Sequence, residues 1–201
     1  MVSLNVDYKA YCDRVQDLTD IQSAIQQIPP KYQKLVTENV MLRLFDLFLE
    51  SIESIAAKLL CGAVYSDGTI PHVIISVAKS KKTAVILMSN HCRAKSRTLH
   101  WSKVNEIKEN MKYVLNSGDH FITTLDNHSL LIEEMRCVRN RIAHNNEKCR
   151  RDYQSVVRRY YGVVANSVTP GTLLLSPRAT PPLINQYLAK SRILIKQLVI
   201  A

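Results

Sequence analysis

Residues 136 to 146 read Arg-Cys-Val-Arg-Asn-Arg-Ile-Ala-His-Asn-Asn. The imidazole of His144 has an ordinary pKa of about 6.5, so near neutral pH it both takes and returns protons. A guanidinium keeps its charge at any working pH, and its planar fork offers a phosphate two parallel hydrogen bonds. Those two residue types suit cleavage of a phosphodiester whose substrate brings its own nucleophile. In RNA the 2′-hydroxyl lies beside the scissile phosphate. A catalyst then needs to remove that proton, stabilise charge on the phosphorane and protonate the departing 5′-oxygen.

An amphipathic helix must present these groups. Leu131, Met135, Val138 and Ile142 recur at helical spacing and form one apolar stripe. At about 100° per residue, Arg136, Asn140 and His144 fall nearly opposite that stripe, and Arg139 falls on a flank. The pattern therefore predicts a histidine turned away from its own core. The plainer alternative is a surface or capping histidine near a helix C-terminus, where the helix dipole favours it.

The run Arg139-Asn140, three further residues and then His144, late in a helical chain, resembles the signature of the HEPN superfamily. The resemblance covers roughly residues 31 to 161. It implies a four- or five-helix bundle and a metal-independent endoribonuclease of the toxin or defence and stress type. Two protomers would bring their motif copies together across a homodimer, often restrained by an antitoxin or other inhibitor protein. On that likeness His144 is the proton-transfer residue, Arg139 the phosphate clamp, and Asn140, one turn before His144, the residue that orients one of them. HEPN-like domains also occur as non-catalytic modules that partner nucleotidyltransferases or recruit RNA, so a binding role stands as the alternative.

A net charge of +10 suits a polyanionic partner, nucleic acid first, with an anionic membrane surface or an acidic protein behind it, and the motif makes RNA the expected one. Arg136, Arg141, Asn145, Lys148, Arg150 and Arg151, with Arg158 and Arg159 beyond, form a polar and mostly basic tract around the motif. Tyr153, Tyr160 and Tyr161 interleave with it. Arginines and lysines on phosphates and tyrosines stacked on bases are the expected contacts, with Tyr153 the first candidate for stacking. A solvated charged face over core tyrosines is the alternative.

Other chemistries find little support. Five cysteines (Cys12, Cys61, Cys92, Cys137 and Cys149) are scattered and never spaced C-x-x-C, as in reduced intracellular thiols. His91 and Cys92 adjoin, with His100, His120 and His128 further on, but no zinc-type spacing links them, so neither metal nor cofactor is expected. No glycine-rich phosphate loop and no Ser-His-Asp arrangement is present. The N-terminal residues lack a basic segment followed by an apolar one, and no run approaches the roughly 18 apolar residues of a membrane span. A cytoplasmic location without membrane association is expected.

The chain as a whole reads as one mainly α domain over 1–201, its motif-bearing core at about 31–161 and an appendage at about 162–201. Helical period runs from Val2 to Ile28, and Pro29-Pro30 ends it and opens the next helix. Lys31 to Cys61 carries a wide apolar face, stopped by Gly62. Residues 71–90 are ambiguous: Val73 to Ile75 and Thr83 to Leu87 fit strands or helices. His91 to Lys103 reads as a mostly exposed connection. Ser102 is a candidate cap for a helix through Val104, Ile107, Met111 and Val114, and Asp126 or Asn127 for the motif helix, which breaks near Asn145-Asn146. Thr169-Pro170-Gly171 between two apolar runs predicts a small β-hairpin. A last helix follows from Leu183 to Val199.

Overall fold

Pro30 supplies the fixed φ of a first helical turn, and Gly62, at φ 81°, takes the left-handed conformation beyond the last. Between them lies the longest helix of a mainly α-helical protein. The computed structural model describes residues 3–75, 77–91 and 99–201. Its α-helices are α1 (Asn5–Ser23), α2 (Pro30–Leu60), α3 (Lys81–His91), α4 (Val104–Met111), α5 (His120–Asn127), α6 (Ser129–Ala143), α7 (Glu147–Tyr161), α8 (Pro170–Leu174) and α9 (Leu183–Val199). Among the described residues no helix is long and apolar enough to cross a membrane.

The chain forms two compact units. The first takes Met1–Cys12, Phe48–Ile132 and Ile193–Ala201. Its core includes Ile52, Ile55, Leu59, Ile107, Met111, Phe121 and Leu125, all fully buried. Asp119 is its main polar anchor. The carboxylate caps α5 by accepting from the Phe121 amide at 2.9 Å, accepts from the His72 amide at 2.8 Å, and takes the Tyr65 hydroxyl. Burial and that neighbouring carboxylate hold the Tyr65 phenol well above its usual range.

The second unit takes Asp13–Leu47 and Glu133–Arg192, and it contains every residue of the motif. Its interior is built from Val40, Met41, Leu44, Phe45, Met135, Val138, Tyr153, Val156, Val157, Leu174 and Tyr187. Thr37 donates to Gln22 within it, so these buried polar groups are paired.

The expected C-terminal hairpin is absent: among the described residues the only β pairing is an isolated bridge between Val73 and Leu115. Thr169-Pro170-Gly171 starts a helix instead of a turn. The Thr169 hydroxyl accepts from the Thr172 amide and Pro170 fills the first turn, which is cap chemistry that a turn reading of the same three residues overlooks. Thr83 to Leu87 lies in α3, and Val73 lies in the bridge. Lys103, not Ser102, stands at the cap position of α4, and the Ser102 hydroxyl goes to Glu106. The expected motif helix is preceded by a separate helix, α5, so Asp126 and Asn127 end that helix. Of the expected exposed connection, residues 92–98 lie outside the described residues, and Trp101 is buried, at 8% exposure.

Gly171 lets α8 close onto α2. Its amide donates to Glu38 at 2.7 Å, and a Cβ placed there would lie 2.7 Å from Lys34 Cβ and 3.0 Å from the Lys34 carbonyl oxygen. Gly171→Ala therefore forces the two helices apart, at about 1–3 kcal/mol, the range for overpacking a fitted contact. A denaturant midpoint unchanged from the parent chain would contradict this packing.

Candidate active site

Helices α6 and α7 form an antiparallel hairpin closed by three residues, His144, Asn145 and Asn146. Two ion pairs set its register. Nearer the loop, Arg136 on α6 reaches Asp152 on α7 at 3.5 Å. Further out, Glu134 takes the guanidinium of Arg159. Asn146 ends the loop as the cap of α7, its side chain accepting from the Cys149 amide at 2.8 Å, where the competition of paired asparagines with the helix predicts a break. The other end of α7 is Gly162, at φ 76°, whose amide returns to the Arg158 carbonyl.

His144 is exposed. Its backbone amide closes the final turn on the Asn140 carbonyl at 2.9 Å, so the side chain leaves from the very end of the helix. Arg139 is less open. One terminal nitrogen lies 3.5 Å from Asp46 of α2 and the other donates to the Asn140 side-chain oxygen at 3.4 Å. Its Nε is buried without a hydrogen-bond partner among the described residues. The Asn140 side chain is thus in contact with Arg139. Arg139 and His144 are not hydrogen-bonded to each other. Five residues apart, their backbones are separated by about 7.5 Å of helix rise, a gap within the reach of an arginine side chain.

Of the expected RNA contacts, Arg141, Asn145, Lys148, Arg150 and Arg151 remain on or near the surface. Arg141 donates to Asn145 at 2.7 Å, and Arg150 pairs with Glu147 at 3.0 Å. Two others are placed differently. Arg136 is only 7% exposed and makes a two-pronged contact with Glu133, at 2.8 and 2.5 Å, in addition to Asp152. That hydrogen-bonded carboxylate raises its pKa further, and its donors serve the hairpin instead of a phosphate. Helical projection places Arg136 opposite the stripe and so outward, but it is buried, with Asp152 of α7 against it. Tyr153 is 1% exposed, and its hydroxyl reaches the Val168 carbonyl at 3.2 Å, so its ring is core and presents no face to a base. Tyr160 is half-buried, its phenol pushed up to about 12 by burial and by Glu134. The Tyr161 ring carries Arg178 at 4.6 Å.

Asp46 is the residue that sequence reasoning missed. It lies on the polar side of α2 with Arg43 and Glu50, its side chain about half-exposed, so nothing in its sequence setting marks it as the partner of Arg139. Burial and Glu133 push the Cys137 thiol up to about 12, which leaves it a poor nucleophile. Among the described residues no group of three histidine, cysteine or acidic side chains is placed to hold a metal ion, and Cys92 lies outside them.

Comparison of the chain with family models, with curated proteins and with solved structures gives no match. What the site can do therefore rests on its own groups.

The contacts of Arg136 are those of a structural cation. Arg136→Gln leaves Asp152 and Glu133 without their partner and costs about 2 kcal/mol, below the range for fully buried pairs because Glu133 is half-exposed. Thermal denaturation measures that loss, while RNA affinity falls no more than for removal of a single remote charge. A variant of unchanged stability and strongly weakened RNA binding would reverse the assignment.

Proposed function

We propose that the chain is a HEPN-type endoribonuclease that needs no metal, uses the RNA 2′-hydroxyl as nucleophile and acts as a homodimer. The observation that carries this reading is the exposed His144 at the tip of the α6–α7 hairpin, one helical stretch beyond an arginine that is held but still partly open. A solvent-facing imidazole can meet a substrate and exchange protons with it. A neutral His144 takes the 2′-hydroxyl proton as the 2′-oxygen attacks phosphorus. The bond to the 5′-oxygen breaks, and the protonated copy of His144 from the second protomer returns a proton to that oxygen. Arg139 stabilises the charge on the equatorial oxygens through whichever guanidinium donors Asp46 and Asn140 leave available. Strand scission in the cytoplasm by such a protein fits a toxin or defence role, with an antitoxin or inhibitor covering the hairpin tip until it is needed.

The second reading is a non-catalytic HEPN-type module that binds RNA or partners a nucleotidyltransferase. The contact of Arg139 with Asp46 favours it, since an arginine tied to a carboxylate also serves a purely structural purpose.

Purified protein incubated with RNA in excess chelator distinguishes the two. The nuclease reading predicts cleavage that persists without divalent metal. His144→Ala lowers it by about 10²–10⁴, the usual worth of a general acid–base group. Arg139→Lys, which keeps the charge but loses the fork, lowers it by about 10². Equal cleavage by the parent chain and His144→Ala would remove the nuclease reading.

A further inference from the structure

The ion pairs described above divide the basic residues of α7 into two groups. Arg150 is paired with Glu147 and Arg159 with Glu134. Lys148, Arg151 and Arg158 are exposed and make no ion pair among the described residues. At about 100° per residue these three, with the small Ser155 between them, fall inside a sector of roughly 80° and run along roughly 15 Å of helix. No acidic residue of α7 falls in that sector. Glu147 and Asp152 flank it, and each is engaged, with Arg150 and with Arg136. The row begins four residues after His144 and leads away from the loop.

We infer that this row on α7 is a track for the phosphates of single-stranded RNA leaving the cleavage point, and that the substrate is single-stranded. The inference rests on the nuclease reading for where the cut lies. A straight row of three cations on one convex helix face follows one backbone, and the serine gap lets that backbone come close. An A-form duplex also offers phosphates, but on two rigid strands at fixed spacing, so it cannot adapt to a single row as an unpaired strand does. Its stacked geometry also keeps the 2′-oxygen out of line with the departing 5′-oxygen, whereas an unstacked strand turns freely into line. Three phosphate contacts give a single strand a salt slope of about −2 in log K against log salt from this row alone.

The test uses the full chain carrying His144→Ala, with a labelled mixed-sequence 12-nucleotide RNA strand and the matching 12-base-pair RNA duplex as probes, titrated between low and moderate salt. Adding Lys148→Gln, Arg151→Gln and Arg158→Gln is expected to weaken strand binding at least tenfold and to flatten the salt slope by about 2. A control with Lys9→Gln, Lys79→Gln and Lys196→Gln, which removes the same charge elsewhere, is expected to flatten it far less. Equal effects of the two triples, no effect of the α7 triple, or duplex binding as tight as strand binding would each overturn the track. Cleavage of the same strand by the parent chain in chelator is read alongside. Binding through the row without cleavage upholds the track and contradicts the nuclease reading. Cleavage with the row indifferent upholds that reading and discards the track.

Discussion

The hairpin of α6 and α7 depends on a guanidinium kept almost entirely out of water. Arg136 is hydrogen-bonded twice to Glu133 on its own helix and reaches Asp152 on the next. A buried cation left without those acceptors would cost several kcal/mol, so the pairing leaves little freedom in how the two helices face each other. Glu134 with Arg159 repeats the constraint further from the loop, with opposite polarity: on α6 a cation and then an anion, on α7 an anion and then a cation. Sliding one helix along the other would bring like charges together.

That register determines what the rest of the hairpin shows to solvent. With Val138 and Met135 in the core and Arg136 under α7, the last turn of α6 has only its end to offer, and His144 stands there. Asp46 from α2 and the neighbouring Asn140 do the same for Arg139, limiting the directions in which its fork can point. On α7, Cys149, Tyr153, Val156 and Val157 face inward, so the opposite side of the helix must carry the unpaired cations. The exposure of His144 and the placement of the unpaired cations thus follow from one packing choice.

Much of this was legible in the residues. Pro29-Pro30, Gly62 and Gly162 mark helix ends because their backbone preferences act locally, and the final helix runs from Leu183 to Val199 as its apolar period requires. Helical period predicts an outward His144, but it predicts an outward Arg136 as well; His144 is exposed because it stands in the loop beyond the end of α6. What stayed hidden depends on neighbours distant in sequence. Arg136 and Tyr153 look available until α7 and the Val168 carbonyl are in place. Thr169-Pro170-Gly171 is ambiguous between turn and helix start, and the contact with Glu38, more than a hundred residues away, belongs to the helix start. Asp46 reads as one more polar residue beside Arg43 and Glu50 until Arg139 meets it.

The central claim is that an exposed imidazole at the hairpin tip activates the RNA's own 2′-hydroxyl. Its most direct measurement compares an RNA strand with the same strand carrying a single 2′-deoxy residue at the mapped cut. The account predicts 2′,3′-cyclic phosphate and 5′-hydroxyl ends from the first, and no cut at that position in the second. Unimpaired cutting of the deoxy strand, or products ending in 5′-phosphate, would mean that water or another nucleophile attacks and would contradict it.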